Sequence, residues 1–142
     1  MSDVVALVSC SFSKGPKACP AQDLFVSPLF LKMRLYAQAN SKRWFILSAL
    51  HGLIDPTTEI EPYKKTLNST SRDEQREWAR RVYFQLQAQG LVNTGQRFMW
   101  LAGPKYLVDL QPMLSTCKHR DPLKGMGTDE RLAWLTKQCP DP

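Results

Sequence analysis

Residues 3–10 read DVVALVSC, a short apolar, β-branched run that closes on a serine and a cysteine. A strand with one wet face alternates apolar and polar residues, whereas a strand covered on both faces does not. This run does not alternate, so it is expected inside a parallel sheet with helices above and below. RWFILSAL (43–50) and RFMWLAG (97–103) have the same character. Between the first two, Ser27-Pro28 reads as an N-cap followed by proline at the first helical position. The helix there is expected to run to about Asn40 and to bury Leu29, Phe30, Met33 and Tyr36 or Leu35. Ser71 with Glu74 spells a capping box, and Trp78, Val82 and Leu86 fall on one face of the helix that follows. Gly103-Pro104 restarts a helix to about Leu114, and PLKGMGTDERLAWLTKQ (122–138) closes the chain with Thr128 as its N-cap. Residues 51–70 read as a long irregular segment. The order strand, helix, strand, helix, strand, helix, helix predicts a three-layer α/β sandwich with a small, mainly parallel sheet, in one domain spanning 1–142.

The bulk numbers agree with that size. The chain has 142 residues, 43% hydrophobic and 23% charged, enough for one core. No apolar run is long enough to span a bilayer, and no secretory signal is evident, so a cytoplasmic protein without membrane association is expected. Four cysteines, Cys10, Cys19, Cys117 and Cys139, show no C-x-x-C spacing and are expected as free thiols. Neither a metal site nor a cofactor is expected. The net charge of +6 permits attraction to a polyanion, although the basic residues are spread along the chain.

In a parallel sheet the loops that leave the carboxyl ends of the strands share one edge, and ligands bind there. Those loops are SCSFSKG (9–15), SALHGLIDP…EPY (48–63) and AGPKY (102–106). Cys10, Ser11, Phe12, Ser13 and Lys14 are therefore expected to face His51, Asp55, Glu61 and Tyr63 across one crevice, with Gly103, Lys105 and Tyr106 on the third side. Each has a plainer role available. His51 fits a strand cap as well as a catalytic group, Ser11 and Ser13 fit turn formers, and Cys10 fits a small buried hydrophobe. Glu61, before a proline in a long loop, is the acid that most needs a partner. No P-loop, G-x-S-x-G elbow or dinucleotide fingerprint is present.

At these residues the chain resembles a bacterial and phage family of unknown function that begins V-x-C-S-x-x-K. The carriers are VSCSFSK (8–14), AQDLFVSPLF (21–30), WFILSALHGLIDPTTEIEPYKKTL (44–67) and PLKGMGTDERLAWL (122–135). The central segment is also similar to the peroxide-stress protein YaaA, with its LSGLYG…RP…PYR pattern. That resemblance implies a uracil-DNA glycosylase-like fold and a nucleic-acid or nucleobase partner, DNA before RNA. The G-Q-D-P-Y and H-P-S loops of uracil-DNA glycosylases are missing here.

The expectation that follows is an N-glycosidase, DNA glycosylase-like, that excises a modified or damaged base in repair or in phage defence. Glu61 or Asp55 would orient water and stabilise the sugar cation, and His51 or Lys14 would serve the departing base. Ser11 and Ser13 would hold a phosphate, and Phe12 or Tyr63 would stack on the base. A non-catalytic DNA- or nucleotide-binding module, or a hydrolase or transferase on free nucleotides, would use the same crevice.

Overall fold

A computed structural model describes residues 4–10, 14–67 and 70–138. In chain order the elements are β1 (Val4–Ser9), β2 (Cys19–Pro20), α1 (Ala21–Leu24), α2 (Pro28–Asn40), β3 (Arg43–Ser48), β4 (Gly52–Ile54) and β5 (Glu59–Ile60). These are followed by α3 (Arg72–Ala88), β6 (Arg97–Leu101), α4 (Pro104–Leu107), α5 (Leu110–Met113), β7 (Lys118–Arg120) and α6 (Thr128–Gln138).

Five strands form the main sheet in the order β4-β3-β1-β6-β7, and β2 pairs with β5 in a separate two-stranded ribbon. β1 runs parallel to both β3 and β6, and β7 runs parallel to β6, while β4 folds back antiparallel to β3. The register Ser9↔Leu47 and Val8↔Leu101 brings the carboxyl ends of β1, β3 and β6 level. The chain leaves β1 for β3 on one side and later for β6 on the other, so strand order reverses at β1. A crevice opens beyond the strand ends at such a reversal.

Alternate residues of each central strand serve opposite layers, as the pleat requires. Val5, Leu7, Phe45, Leu47, Phe98 and Trp100 pack with Trp78, Val82 and Leu86 of α3 and with Leu110 and Leu114. Ala6, Val8, Ile46, Met99 and Leu101 pack with Phe30, Met33 and Ala37 of α2 and Leu135 of α6. Each large apolar side chain buried this way contributes roughly 1.5–3 kcal/mol relative to exposure. The helices begin where their caps allow. Ser27 Oγ accepts the Phe30 N–H at 3.2 Å, and Ser71 with Glu74 completes the capping box of α3. On α2, Phe30, Met33, Tyr36 and Ala37 are buried, and Leu35 lies on the outside.

Several elements differ from expectation. Residues 51–70 are not wholly irregular, because β4 and β5 lie within them. The helix expected over 104–114 is two single turns, α4 and α5, with Val108 and Asp109 between them. Asp109 there forms a bidentate pair with Arg72 at the start of α3, at 2.5 and 2.8 Å. Thr128 is the first residue of α6 and not its cap. The amide of Gly127 instead donates to Glu130 Oε1 at 3.1 Å. β7 lies between the last two expected helices, where no element was expected. Its His119 is fixed in one tautomer: Nδ1 accepts from Trp100 Nε1 at 2.9 Å, which leaves Nε2 to donate to the Leu114 carbonyl at 2.9 Å.

The hairpin joining β3 to β4 turns on Ala49, Leu50 and His51, and Gly52 follows at φ +75°. That left-handed backbone favours glycine, and a Cβ at Gly52 would also collide with Gln85 Oε1. Gln85 stands there because it clamps the open edge of β4. Its Oε1 accepts the Leu53 N–H at 2.8 Å, and its Nε2 donates to the His51 carbonyl at 3.2 Å. Gly52→Ala is expected to lose about 1–3 kcal/mol of stability from the left-handed backbone alone, and more from the displaced Gln85. Thermal unfolding checks this, and an unchanged midpoint contradicts it.

Candidate functional site

Ser48, the last residue of β3, is fully buried. Its Oγ accepts the Leu50 N–H at 3.2 Å and the His51 N–H at 3.1 Å, which occupies both lone pairs. The Ser48 proton is then left for Tyr63 Oη, 2.5 Å away. Its carbonyl accepts Trp78 Nε1 at 2.7 Å. One serine thus ties the end of β3 to the hairpin turn, to α3 and to the segment after β5.

Around this anchor the three loops converge. The Cys10 amide extends the β1–β3 ladder by donating to the Leu47 carbonyl at 3.0 Å. Cys10 Sγ lies 3.4 Å from Tyr106 Oη, and the Tyr106 ring meets the edge of Trp78 at 5.4 Å between centroids. Lys14 Nζ sits 4.3 Å from the centre of the Tyr63 ring and 5.7 Å from that of Phe25. The His51 ring packs edge-on against Tyr63 at 5.5 Å. Cys10, Lys14, His51, Tyr63 and Tyr106 therefore meet at the carboxyl edge. Ser11, Phe12 and Ser13 lie outside the described residues.

The electrostatics assign roles by direction. Burial, reinforced by Cys10, pushes the hydroxyls of Tyr63 and Tyr106 above the ordinary phenol value. Both stay protonated and act as hydrogen-bond donors, not bases. Partial burial lowers Lys14, an effect that neighbouring Cys10 opposes. His51 is lowered by burial of part of its ring and then by Arg81, which keeps the imidazole neutral at neutral pH.

The two expected acids sit differently. Asp55 is exposed just after β4, and its Oδ1 accepts from Thr57 N at 2.9 Å and Thr57 Oγ1 at 2.7 Å. Those bonds hold its carboxyl below the usual carboxylate range. Glu61 is exposed after β5 and accepts no hydrogen bond among the described residues, two positions ahead of Tyr63. Gly103 precedes α4, and Lys105 is exposed on it.

The chain belongs to DUF6884, a family of unknown function. The match spans residues 5–137 and so takes in every strand end at this edge. No curated protein matches the chain.

Ser48, Trp78, Arg81 and Gln85 are the site's unforeseen members. A hydroxyl closing an apolar strand is the trace Ser48 leaves in the sequence. Trp78 reads there only as an apolar helix position, and nothing in the sequence singles out Arg81 or Gln85. In the fold Arg81 donates to the Leu50 carbonyl at 2.7 Å. Beyond it a groove of about 650 Å³ runs between α3 and the segment after Tyr63, past Lys65, Arg80 and Phe84. Phe84 is 63% exposed on a helix that is otherwise polar on this side. Among the described residues no helix is long and apolar enough to cross a membrane.

Ser48→Ala strands two amides and the Tyr63 hydroxyl, so a loss of about 2 kcal/mol or more is expected. Tyr63→Phe, which keeps the ring and removes only one hydroxyl, is expected to lose about 1 kcal/mol. Denaturant titration of both variants checks the ranking. Equal losses would contradict the central place of Ser48.

Proposed function

We propose that this protein is an N-glycosidase-type enzyme that excises a modified or damaged base from DNA. The observation that carries the proposal is the packing of Lys14 and His51 on the Tyr63 ring at the carboxyl edge, beside a groove along α3 whose lining carries the cations Lys65, Arg80 and Arg81 and the acids Glu74 and Glu77. Arg81, whose charge acts on His51, lines that groove. A base taken out of the stack needs an aromatic slot with a few polar groups, and the strand that carries it needs cations for its phosphates. The similarity of residues 47–64 to YaaA, and through it to the uracil-DNA glycosylase-like fold, supports the same substrate class by analogy.

Breaking an N-glycosidic bond requires stabilised positive charge on the sugar, a positioned water and a donor for the departing base. Glu61 is assigned the water and the cation, because its carboxylate is uncommitted among the described residues whereas Asp55 is bound to Thr57. Lys14 is assigned the proton for the base. Its lowered pKa makes the ammonium a stronger acid than an ordinary lysine. Neutral His51 is left to hydrogen-bond the base or the sugar. Phe12 would stack on the base, and Ser11 and Ser13 would hold the flanking phosphate, with Lys105 and Gly103 on the far wall.

Incubation with genomic DNA, including phage DNA with modified bases, followed by alkali, tests the proposal. Strand breaks are expected, and Glu61→Gln or Lys14→Met is expected to reduce them at least ~100-fold. The rate should fall on the alkaline side as Lys14 loses its proton, at a pH below lysine's ordinary 10.5. Full turnover in Glu61→Gln contradicts the assignment. DNA retained in a salt-dependent way with no abasic sites would instead make this a binding module.

A further inference from the structure

A second cleft, of about 500 Å³, opens at the same edge of the sheet on the other side of α4. α4 is the partition: Tyr106 turns to Cys10 and Trp78, while Pro104 and Leu107 line the cleft. Its floor is Ala102 at the end of β6, and its far wall is Leu123 in the turn after β7. Three charged side chains enter it: Asp121, Lys124 and Arg131.

Asp121 is the unusual one. It follows β7 directly and is only partly exposed. Among the described residues its carboxylate oxygens accept no hydrogen bond and form no ion pair within 4 Å, although the Asp121 main-chain carbonyl accepts Lys124 N–H at 3.2 Å. Desolvation raises its pKa against the opposing pull of Lys124 and Arg131. A carboxylate held half out of water beside apolar walls, without a protein donor, costs stability. Such a group in a cleft is a mark of a binding site. Arg131 has its Nε committed to the Met126 carbonyl at 3.0 Å, which fixes the guanidinium beside Gly103.

We infer that this cleft is a binding site for a guanine-type heterocycle, distinct from the crevice at Cys10. An ionised carboxylate only accepts, and it takes two parallel N–H donors at once. Guanine presents a ring N–H and an exocyclic amino group side by side on one edge, and two acceptors on another that suit arginine. Asp121 takes the first edge and Arg131 faces the second. Pro104, Leu107 and Leu123 cover the ring. Adenine, cytosine and uracil lack the paired donors, and hypoxanthine lacks the amino group. The site does not depend on base excision at the neighbouring crevice.

Isothermal titration with guanosine and inosine tests this on the whole chain, with adenosine, cytidine and uridine as controls. Guanosine is expected to bind at least ~10-fold more tightly than inosine, and Asp121→Asn is expected to remove that preference. The melting temperature of Asp121→Asn should stay level or rise, since the variant relieves an unpartnered charge, so lost binding would not reflect lost folding. Arg131→Met is expected to weaken guanosine and inosine alike, since both bases carry the acceptors that Arg131 faces. No binding of guanosine, equal binding of both nucleosides, or full preference retained in Asp121→Asn would overturn the site. Base excision that proceeds normally in Asp121→Asn leaves the glycosidase proposal standing on its own.

Discussion

Ser48 is the constraint on which the rest of the site depends. A hydroxyl at the last position of a buried strand has no water to bond, so its partners must come from the protein. It finds them in two hairpin amides and in Tyr63, and its carbonyl finds Trp78. Satisfying one polar residue thereby sets the hairpin turn, the orientation of α3 and the position of the Tyr63 ring. Lys14 and His51 then pack on that ring. The site is anchored at Ser48, and Glu61 and the groove along α3 are open to solvent.

The cation–π and edge-on contacts around Tyr63 have a chemical consequence. Partial burial makes Lys14 hold its proton less firmly, while the Tyr63 ring and Cys10 favour its charged form. Two phenols that stay protonated beside a thiol offer donors without offering a base. The edge is therefore suited to receiving a group that develops negative charge as it leaves. The proposed base excision would make that demand.

Much of the fold was legible because burial on both faces leaves a mark in composition. β1, β3 and β6 are continuous apolar runs, and α2 and α3 carry caps and a one-sided stripe. β4 and β7 were not legible: three residues are too few to show a period. Gly52 alone signals the hairpin, through a positive φ that composition does not reveal. The convergence of Cys10, Lys14, His51, Tyr63 and Tyr106 followed from the parallel sheet. The Ser48 network did not, since each bond in it is set by tertiary distance. Asp121 was invisible for the same reason, because its lack of a partner exists only in the folded chain.

The most direct test of the central claim asks whether DNA binds, and at which residues. Amide chemical shifts would be followed on adding a duplex with a non-cleavable abasic analogue. The largest changes are expected at Ser48, His51, Tyr63 and Tyr106, with a trail through Lys65 and Phe84. Changes confined to the opposite edge of the sheet, at Val4, Arg43 and Gly95, would contradict it.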